Sequence, residues 1–217
     1  MNRSPQNISD DGAITLDRAI LFDCDGVLVD SRASAETAWA AWAVDHGIDP
    51  DEVIAVMHGR RAADTVASFI PPAEAAAAQA RIDRMEIEAA GEVTAIAGAA
   101  ELVASIPDSS WAVVTSASPD LVRARLRGAG LPLPKTLITS ADIENGKPSP
   151  DPYLAGAAAL GIDPGEAIVL EDSEAGIKAG LAANVHLVVG VGEEAIGLGA
   201  DLVVPDLTGI RWRETSA

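Results

Sequence analysis

Residues 19–30 read AILFDCDGVLVD, and the fold turns on how that stretch is understood. The run AILF is too short and too evenly apolar for an amphipathic helix; it reads as a strand buried on both faces. It runs straight into Asp23 and Asp25, one residue apart, followed at once by Gly26. Two carboxylates so close repel each other unless a cation lies between them or one keeps its proton. Gly26 permits a tight turn and leaves room for a ligand.

Working outward, the same strand pattern recurs in WAVVT (111–115), TLIT (136–139), AIVLE (167–171), VHLVVG (185–190) and ADLVVP (200–205). Alanine-rich stretches of helical length separate most of these runs. Such alternation predicts an α/β fold, a Rossmann-like parallel sheet core. One interval breaks the pattern. From Ser31 to about Gly91 no strand is visible, and four helical stretches are expected at 31–46, 50–57, 61–70 and 73–90, punctuated by Asp49-Pro50 and Pro71-Pro72. The expected organisation is a polar leader at 1–17, a catalytic core at 18–30 and 92–217, and an inserted four-helix cap domain at 31–91. Trp39 and Trp42, three apart on the first cap helix, are expected to pack the insert.

Composition narrows the function. With 48% hydrophobic residues the chain can bury a sizeable core, and with a net charge of −18 it is a poor partner for nucleic acid or an anionic membrane surface. An anionic ligand would need a local positive site to override that field. Cys24 is the sole cysteine, which precludes an internal disulfide and fits a reducing compartment. The first 18 residues contain no apolar segment of the signal-peptide kind, and no apolar run has the length of a membrane span. The expectation is a cytoplasmic protein acting on a small molecule, as a monomer or small homo-oligomer.

In open α/β sheets ligands bind just beyond the carboxyl ends of the strands. Polar residues gather there in four segments: Asp23 and Asp25; Thr115 and Ser116; Lys147 in ENGKPSPDPY; Glu171, Asp172 and Ser173 after AIVLE. Asp23, Glu171 and Asp172 offer the hard oxygens that suit Mg²⁺, which would relieve their repulsion and neutralise a phosphate dianion. Lys147 adds a second positive charge, and Ser116 with the backbone N–H groups of 24–26 can meet the remaining phosphate oxygens. The two aspartates then divide the work. Asp23 is expected as the nucleophile that takes phosphorus covalently, and Asp25 as the general acid/base toward the leaving alcohol and then water. Ser173 or Asp172 also suits the N-cap of a following helix.

These residues resemble the haloacid dehalogenase superfamily of phosphatases. DCDGVLVDS, VVTSAS, GKPSPDPY and VLEDSEAGIKAG look like its four motifs in order, over roughly residues 18–206. The resemblance implies that Asp23, the Asp25 backbone carbonyl and Asp172 hold Mg²⁺ with Glu171 close by. It also implies that Ser116 and Lys147 bind phosphate, with Thr115 the alternative to Ser116, and that 31–91 is the family's cap. Dehalogenation is disfavoured, because relatives that displace halide lack the second aspartate. The cap stretch HGRRAADTVASFIP (58–71) resembles a segment of the glycerol- and deoxysugar-phosphate phosphatases. There Arg61 and Asp64 match substrate-facing residues, and His58, Gly59 and Arg60 also fit. Two cations beside a helix start are otherwise poorly placed and call for a ligand or a carboxylate partner.

Three functions compete. The first is a Mg²⁺-dependent phosphomonoester hydrolase acting on a small sugar or polyol phosphate. The second is a hexose-phosphate mutase similar to β-phosphoglucomutase, whose cap histidine and cap arginine fall here on Ala35 and Ala62. The third is a phosphoacceptor signalling module, which shares the acidic pocket, hydroxyl and lysine but needs neither a general acid nor a lid.

Overall fold

The protein is represented by a computed structural model that describes residues 13–214. Among the described residues ten strands occur in chain order: β1 (Ile14–Leu16), β2 (Ala19–Phe22), β3 (Val29–Asp30), β4 (Thr94–Ala95), β5 (Trp111–Val114), β6 (Leu137–Ile138), β7 (Ala167–Glu171), β8 (Leu187–Val191), β9 (Leu202–Val204) and β10 (Ile210–Trp212). Six of them form one sheet in the order β6-β5-β2-β7-β8-β9, every pair parallel. The strand that carries the DCD pair is therefore central. From β2 the chain goes to β5 and β6 on one side and to β7, β8 and β9 on the other. That reversal leaves a crevice at the carboxyl end of β2, where open sheets of this kind take their ligands.

The strands are apolar throughout because both faces are covered. Ile20 and Phe22 of β2 join one buried cluster with Leu102 and Val103 of α5 (Ala99–Ser105) and Val122 and Leu126 of α6 (Pro119–Gly128). Leu21, on the opposite pleat, joins Tyr153 and Ala157 of α7 (Asp151–Leu160) and Ile177 of α8 (Glu174–Ala182). The period of two thus divides a single strand between two cores.

The interval after β3 holds the cap: α1 (Arg32–Asp45), α2 (Pro50–Met57), α3 (Ala62–Phe69) and α4 (Pro72–Ala89). Proline opens α2 and α4, where its missing N–H costs nothing. Asp49 caps α2 by accepting from the Asp51 N–H at 3.0 Å. The cap has its own apolar centre, in which Trp42 is fully buried and donates its indole N–H to the Ala78 carbonyl at 2.9 Å. Trp39 stacks edge-on against it with ring centroids 5.3 Å apart. Where the chain leaves and re-enters the core, β3 and β4 pair antiparallel, so both connections form one short ribbon.

The polar-leader reading needs correction at its end. Residues 1–12 lie outside the described residues, but Ile14–Leu16 is a strand paired in parallel with Ile210–Trp212. Ile14 and Leu16 are buried, and the Trp212 indole donates to the Arg18 carbonyl at 3.0 Å. The partner that makes this strand lies almost 200 residues further along the chain, so nothing in the local sequence announces it. Among the described residues no helix is long and apolar enough to cross a membrane.

Candidate active site

Asp23 stands one residue beyond β2, held in register by its own N–H on the Leu170 carbonyl of β7 at 3.0 Å. Its carboxylate is buried. Oδ1 accepts from the Cys24 N–H at 2.7 Å and lies 3.1 Å from the Lys147 ammonium. Gly26 closes the turn with φ +72°, and a Cβ there would overlap the Asp172 carboxylate. Glycine is required here on two counts, conformation and space.

Lys147 is buried and fully engaged. Its Nζ donates to Glu171 Oε1 at 2.6 Å and to the Val114 carbonyl at 3.2 Å, besides its contact with Asp23. Burial lowers the proton affinity of such an amine, but Asp23 and Glu171 outweigh it and hold the ammonium above its ordinary range. Glu171 is likewise saturated. Oε1 takes bonds from Lys147 and from the Tyr153 hydroxyl at 2.8 Å, and Oε2 from the N–H and hydroxyl of Ser173, both at 3.0 Å. Burial pushes this carboxyl up, yet Lys147 and these donors prevail and keep it below its usual value. Ser173, not Asp172, is the N-cap of α8, accepting from the Gly176 N–H at 3.1 Å.

Asp23, Glu171 and Asp172 each bring a carboxylate oxygen within 4.8 Å of the others. Burial, with repulsion from Glu171, Asp172 and Asp25, raises Asp23 well above the usual carboxylate range, even against Lys147. Burial and Glu171 push Asp172 up to about 8. The buried Lys147 ammonium, with Arg32 3.7 Å from Asp172, does not balance three carboxylates, so the residues fit a divalent, oxygen-loving cation. With Glu171 saturated, Asp23 and Asp172 are the carboxylates with coordination to spare.

Asp25 is tied differently. The Ser31 hydroxyl donates to Oδ1 at 2.6 Å and Arg125 Nη1 donates to Oδ2 at 2.7 Å. Thr115 and Ser116 follow β5 at the same sheet edge; Thr115 Oγ1 accepts from the Ala117 N–H at 3.1 Å. The Ser116 hydroxyl crosses to the cap and donates to the Gly59 carbonyl at 2.8 Å.

The cap closes over this edge and leaves a cavity of about 160 Å³. Asp23, Asp25, Asp172, Thr115 and Ser116 form its floor. His58, Arg60 and Arg61 belong to the cap wall. Arg61 pairs with Asp64 through Nε at 2.7 Å and Nη2 at 2.8 Å, and its Nη1 donates to the Ile143 and Glu144 carbonyls of the core, each at 2.9 Å. The carboxylate partner demanded by the sequence is thus Asp64, and the pair docks the cap on the core. His58 contacts Glu36 at 3.1 Å and Arg32 at 3.2 Å; burial and Arg32 lower its proton affinity. Gly59 has φ +73° and lies so close to Ser173 that a Cβ would collide with its side chain.

Sequence reasoning brought the four motif segments together and missed Tyr153, Arg32, Arg125 and Glu86. Arg32, the first residue of α1, reaches Asp172 at 3.7 Å and Glu194 at 3.6 Å. Arg125 carried a legible signal: it sits in step with Leu121, Val122 and Leu126 on the buried stripe of α6. A cation in an apolar stripe demands an anion.

A central parallel strand ending in paired aspartates, backed by a buried lysine and roofed by a helical insert, defines a parallel α/β core with a capped, charged cavity at the carboxyl edge of its sheet. The chain belongs to the haloacid dehalogenase-like hydrolases, whose family pattern it matches over residues 18–184. It is similar to hexitol phosphatase A of Escherichia coli (strain K12), 41% identical over 176 residues covering 79% of this chain and 82% of that one. It is also similar to glycerol-1-phosphate phosphohydrolase 2 of Saccharomyces cerevisiae, 34% identical over 78% of this chain and 73% of the other. Among solved structures, a HAD family hydrolase from Deinococcus radiodurans with bound phosphate and sodium superposes with a TM-score of 0.64 and 30% identity. It covers 88% of this chain and 92% of that one.

Proposed function

We propose that this enzyme is a Mg²⁺-dependent phosphomonoester hydrolase for a small sugar or polyol phosphate, working through an aspartyl-phosphate on Asp23. The observation that carries the reading is the buried Asp23 carboxylate, braced by Lys147 at the end of the central strand and beside Asp172 in a capped cavity. The names of the similar hexitol and glycerol-1-phosphate enzymes support the substrate class.

Asp23, Asp172 and the Asp25 carbonyl would hold Mg²⁺, which supplies positive charge to the cluster and to the phosphoryl oxygens. Glu171 stands one step back, fixing Lys147 and the Ser173 turn through its four accepted bonds. Asp23 Oδ1 stays bonded to the Cys24 N–H while the other carboxylate oxygen attacks phosphorus. The ester P–O bond breaks, its electron pair goes to the leaving oxygen, and Asp25 delivers the proton. Asp25 then takes a proton from water, whose oxygen displaces Asp23 from phosphorus, and inorganic phosphate leaves. Lys147 and Ser116, or Thr115 in its place, bind the phosphoryl oxygens, and cap closure keeps bulk water out.

On the cap side, Gln79 and Asp83 lie one turn apart on α4 and border the cavity with Arg60. Such a wall suits the hydroxyl groups of a polyol or sugar. His58, Arg61 and Asp64 set the position of that wall through their contacts with Glu36 and the core.

The test is a panel of phosphorylated C3–C6 polyols and sugars assayed for released phosphate with Mg²⁺. The reading predicts phosphate release without any bisphosphate requirement, with a preference of at least about tenfold for one polyol or sugar over an aryl phosphate. Interconversion of hexose phosphates without phosphate release would instead establish the mutase.

A further inference from the structure

Arg125 is 4% exposed and Glu86 is 7% exposed, although one is an arginine on a core helix and the other a glutamate on a cap helix. They meet through Arg125 Nη2 and Glu86 Oε1 at 2.8 Å, while Nη1 of the same guanidinium holds Asp25 Oδ2 at 2.7 Å. Three elements that the chain keeps far apart are thereby joined: the loop after β2, helix α6 and cap helix α4.

A simple docking contact needs no such triad. Burying Glu86 is costly unless a cation meets it, and apolar residues of similar size would pack the same seam at less expense. A planar guanidinium with its two terminal nitrogens on different carboxylates fixes both the distance and the direction between them. Here one carboxylate belongs to the cap and the other to the loop after β2, and both border the reaction cavity with Arg125. The second oxygen of Asp25 is taken by Ser31, the residue immediately before α1. One oxygen of Asp25 is therefore linked through Arg125 to cap helix α4, and the other is held by the residue at which the chain enters the cap.

We propose that Arg125 is a positioning residue that ties the orientation of Asp25 to the docking of α4 through Glu86. The inference rests on the reading of Asp25 as the acid/base given above. Its consequence is that seating α4 fixes the direction of the donor on Asp25 Oδ2. When α4 withdraws, Arg125 loses one of its two anchors and Asp25 loses the fixed direction of its donor.

The experiment is a double-mutant cycle with D25N, R125K and E86Q, alone and as R125K/D25N and E86Q/D25N. It is assayed with Mg²⁺ on phenyl phosphate and on p-nitrophenyl phosphate, with thermal melts verifying that each variant is folded. R125K keeps the charge but has one compact donor group in place of the fork. It is expected to lower kcat on phenyl phosphate by about 30-fold with KM changed by less than about threefold, and to cost less on p-nitrophenyl phosphate, whose leaving group needs little help from an acid. In the D25N background the same substitution should change kcat by less than about twofold, because the group it positions is gone. E86Q, nearly isosteric, should cost about fivefold alone and under twofold with D25N; it carries the cycle if R125K does not fold. Equal losses with and without Asp25 would overturn the proposal and leave Arg125 a structural bridge. Wild-type activity in D25N would overturn the acid/base reading along with it, so the two failures are distinguishable.

Discussion

Replacing Lys147 by methionine removes the only ammonium that faces the carboxylate cluster among the described residues while keeping most of its volume. The native Nζ gives up three contacts: 2.6 Å to Glu171, 3.1 Å to Asp23 and 3.2 Å to the Val114 carbonyl. Lys147 and Glu171 side chains are 0% exposed and Asp23 is 5%, so water cannot take over. Breaking a buried pair by deleting one partner typically costs about 3–5 kcal/mol, because a charge is left buried and uncompensated. For a chain of this size that corresponds to a fall in Tm of about 6–20 °C in metal-free protein. Saturating Mg²⁺ should recover part of the loss, since it brings charge to the same cluster. K147M/E171Q should be more stable than K147M alone, because the orphaned carboxylate is gone. Differential scanning calorimetry of the three proteins with EDTA or Mg²⁺ reads all of this. A K147M protein within about 2 °C of wild type in EDTA, a difference of under about 1 kcal/mol, would refute the claim that Lys147 balances Asp23 and Glu171.

Other outcomes follow from the same geometry. G26A forces a Cβ into the Asp172 carboxylate at φ +72°, so it should lose about 1–3 kcal/mol of stability and most turnover; an active, stable G26A would contradict the site as described. R61A cuts the contact of the cap with the Ile143 and Glu144 carbonyls, so kcat should fall several-fold on aryl and polyol phosphates alike. Loss confined to polyol substrates would return Arg61 to substrate recognition. Asp172 gives a pH dependence. Its folded value of about 8 lies above its ordinary one, so its contribution to the metal-free protein is full in acid and is lost as pH rises through about 8. Mg²⁺ competes with that proton, and the rise in Tm caused by Mg²⁺ should therefore grow between about pH 5.5 and about pH 8. A rise that is flat or larger in acid would oppose the assignment of Asp172 to the metal.

The legible parts of this molecule are those where a residue's partner is implied by its neighbours. AILF, AIVLE and WAVVT read as strands because burial on both faces leaves no polar alternation, and the structure puts β2 between β7 and β5. Asp23, Asp25, Lys147 and Asp172 were readable because each follows a strand whose end must lie at the ligand edge. Ile14–Leu16 was not readable: a three-residue strand acquires its identity from Ile210–Trp212 at the other end of the chain. The β3–β4 ribbon has two residues per strand and exists because the two cap connections run side by side. Glu86 and Arg125 lie at the intermediate level. Glu86 stands in step with Ala78 and Ile82 on the buried stripe of α4, and Arg125 with Leu121 and Val122 on that of α6. Each shows a misplaced charge; that the two charges meet depends on how the cap docks, which helical periodicity does not encode. The same holds for Arg61, whose pairing with Asp64 at a spacing of three was foreseeable on a helix, while its reach to the core carbonyls was not.

Covalent capture of phosphorus by Asp23 is the central step of the proposed reaction. Rapid acid quench of the enzyme mixed with Mg²⁺ and ³²P-labelled substrate, followed by peptide mapping, should recover acid-stable, alkali-labile label on the peptide that contains Asp23, and none from D23N. Full turnover by D23N, or wild-type turnover with label passing to free phosphate and never to that peptide, would contradict it.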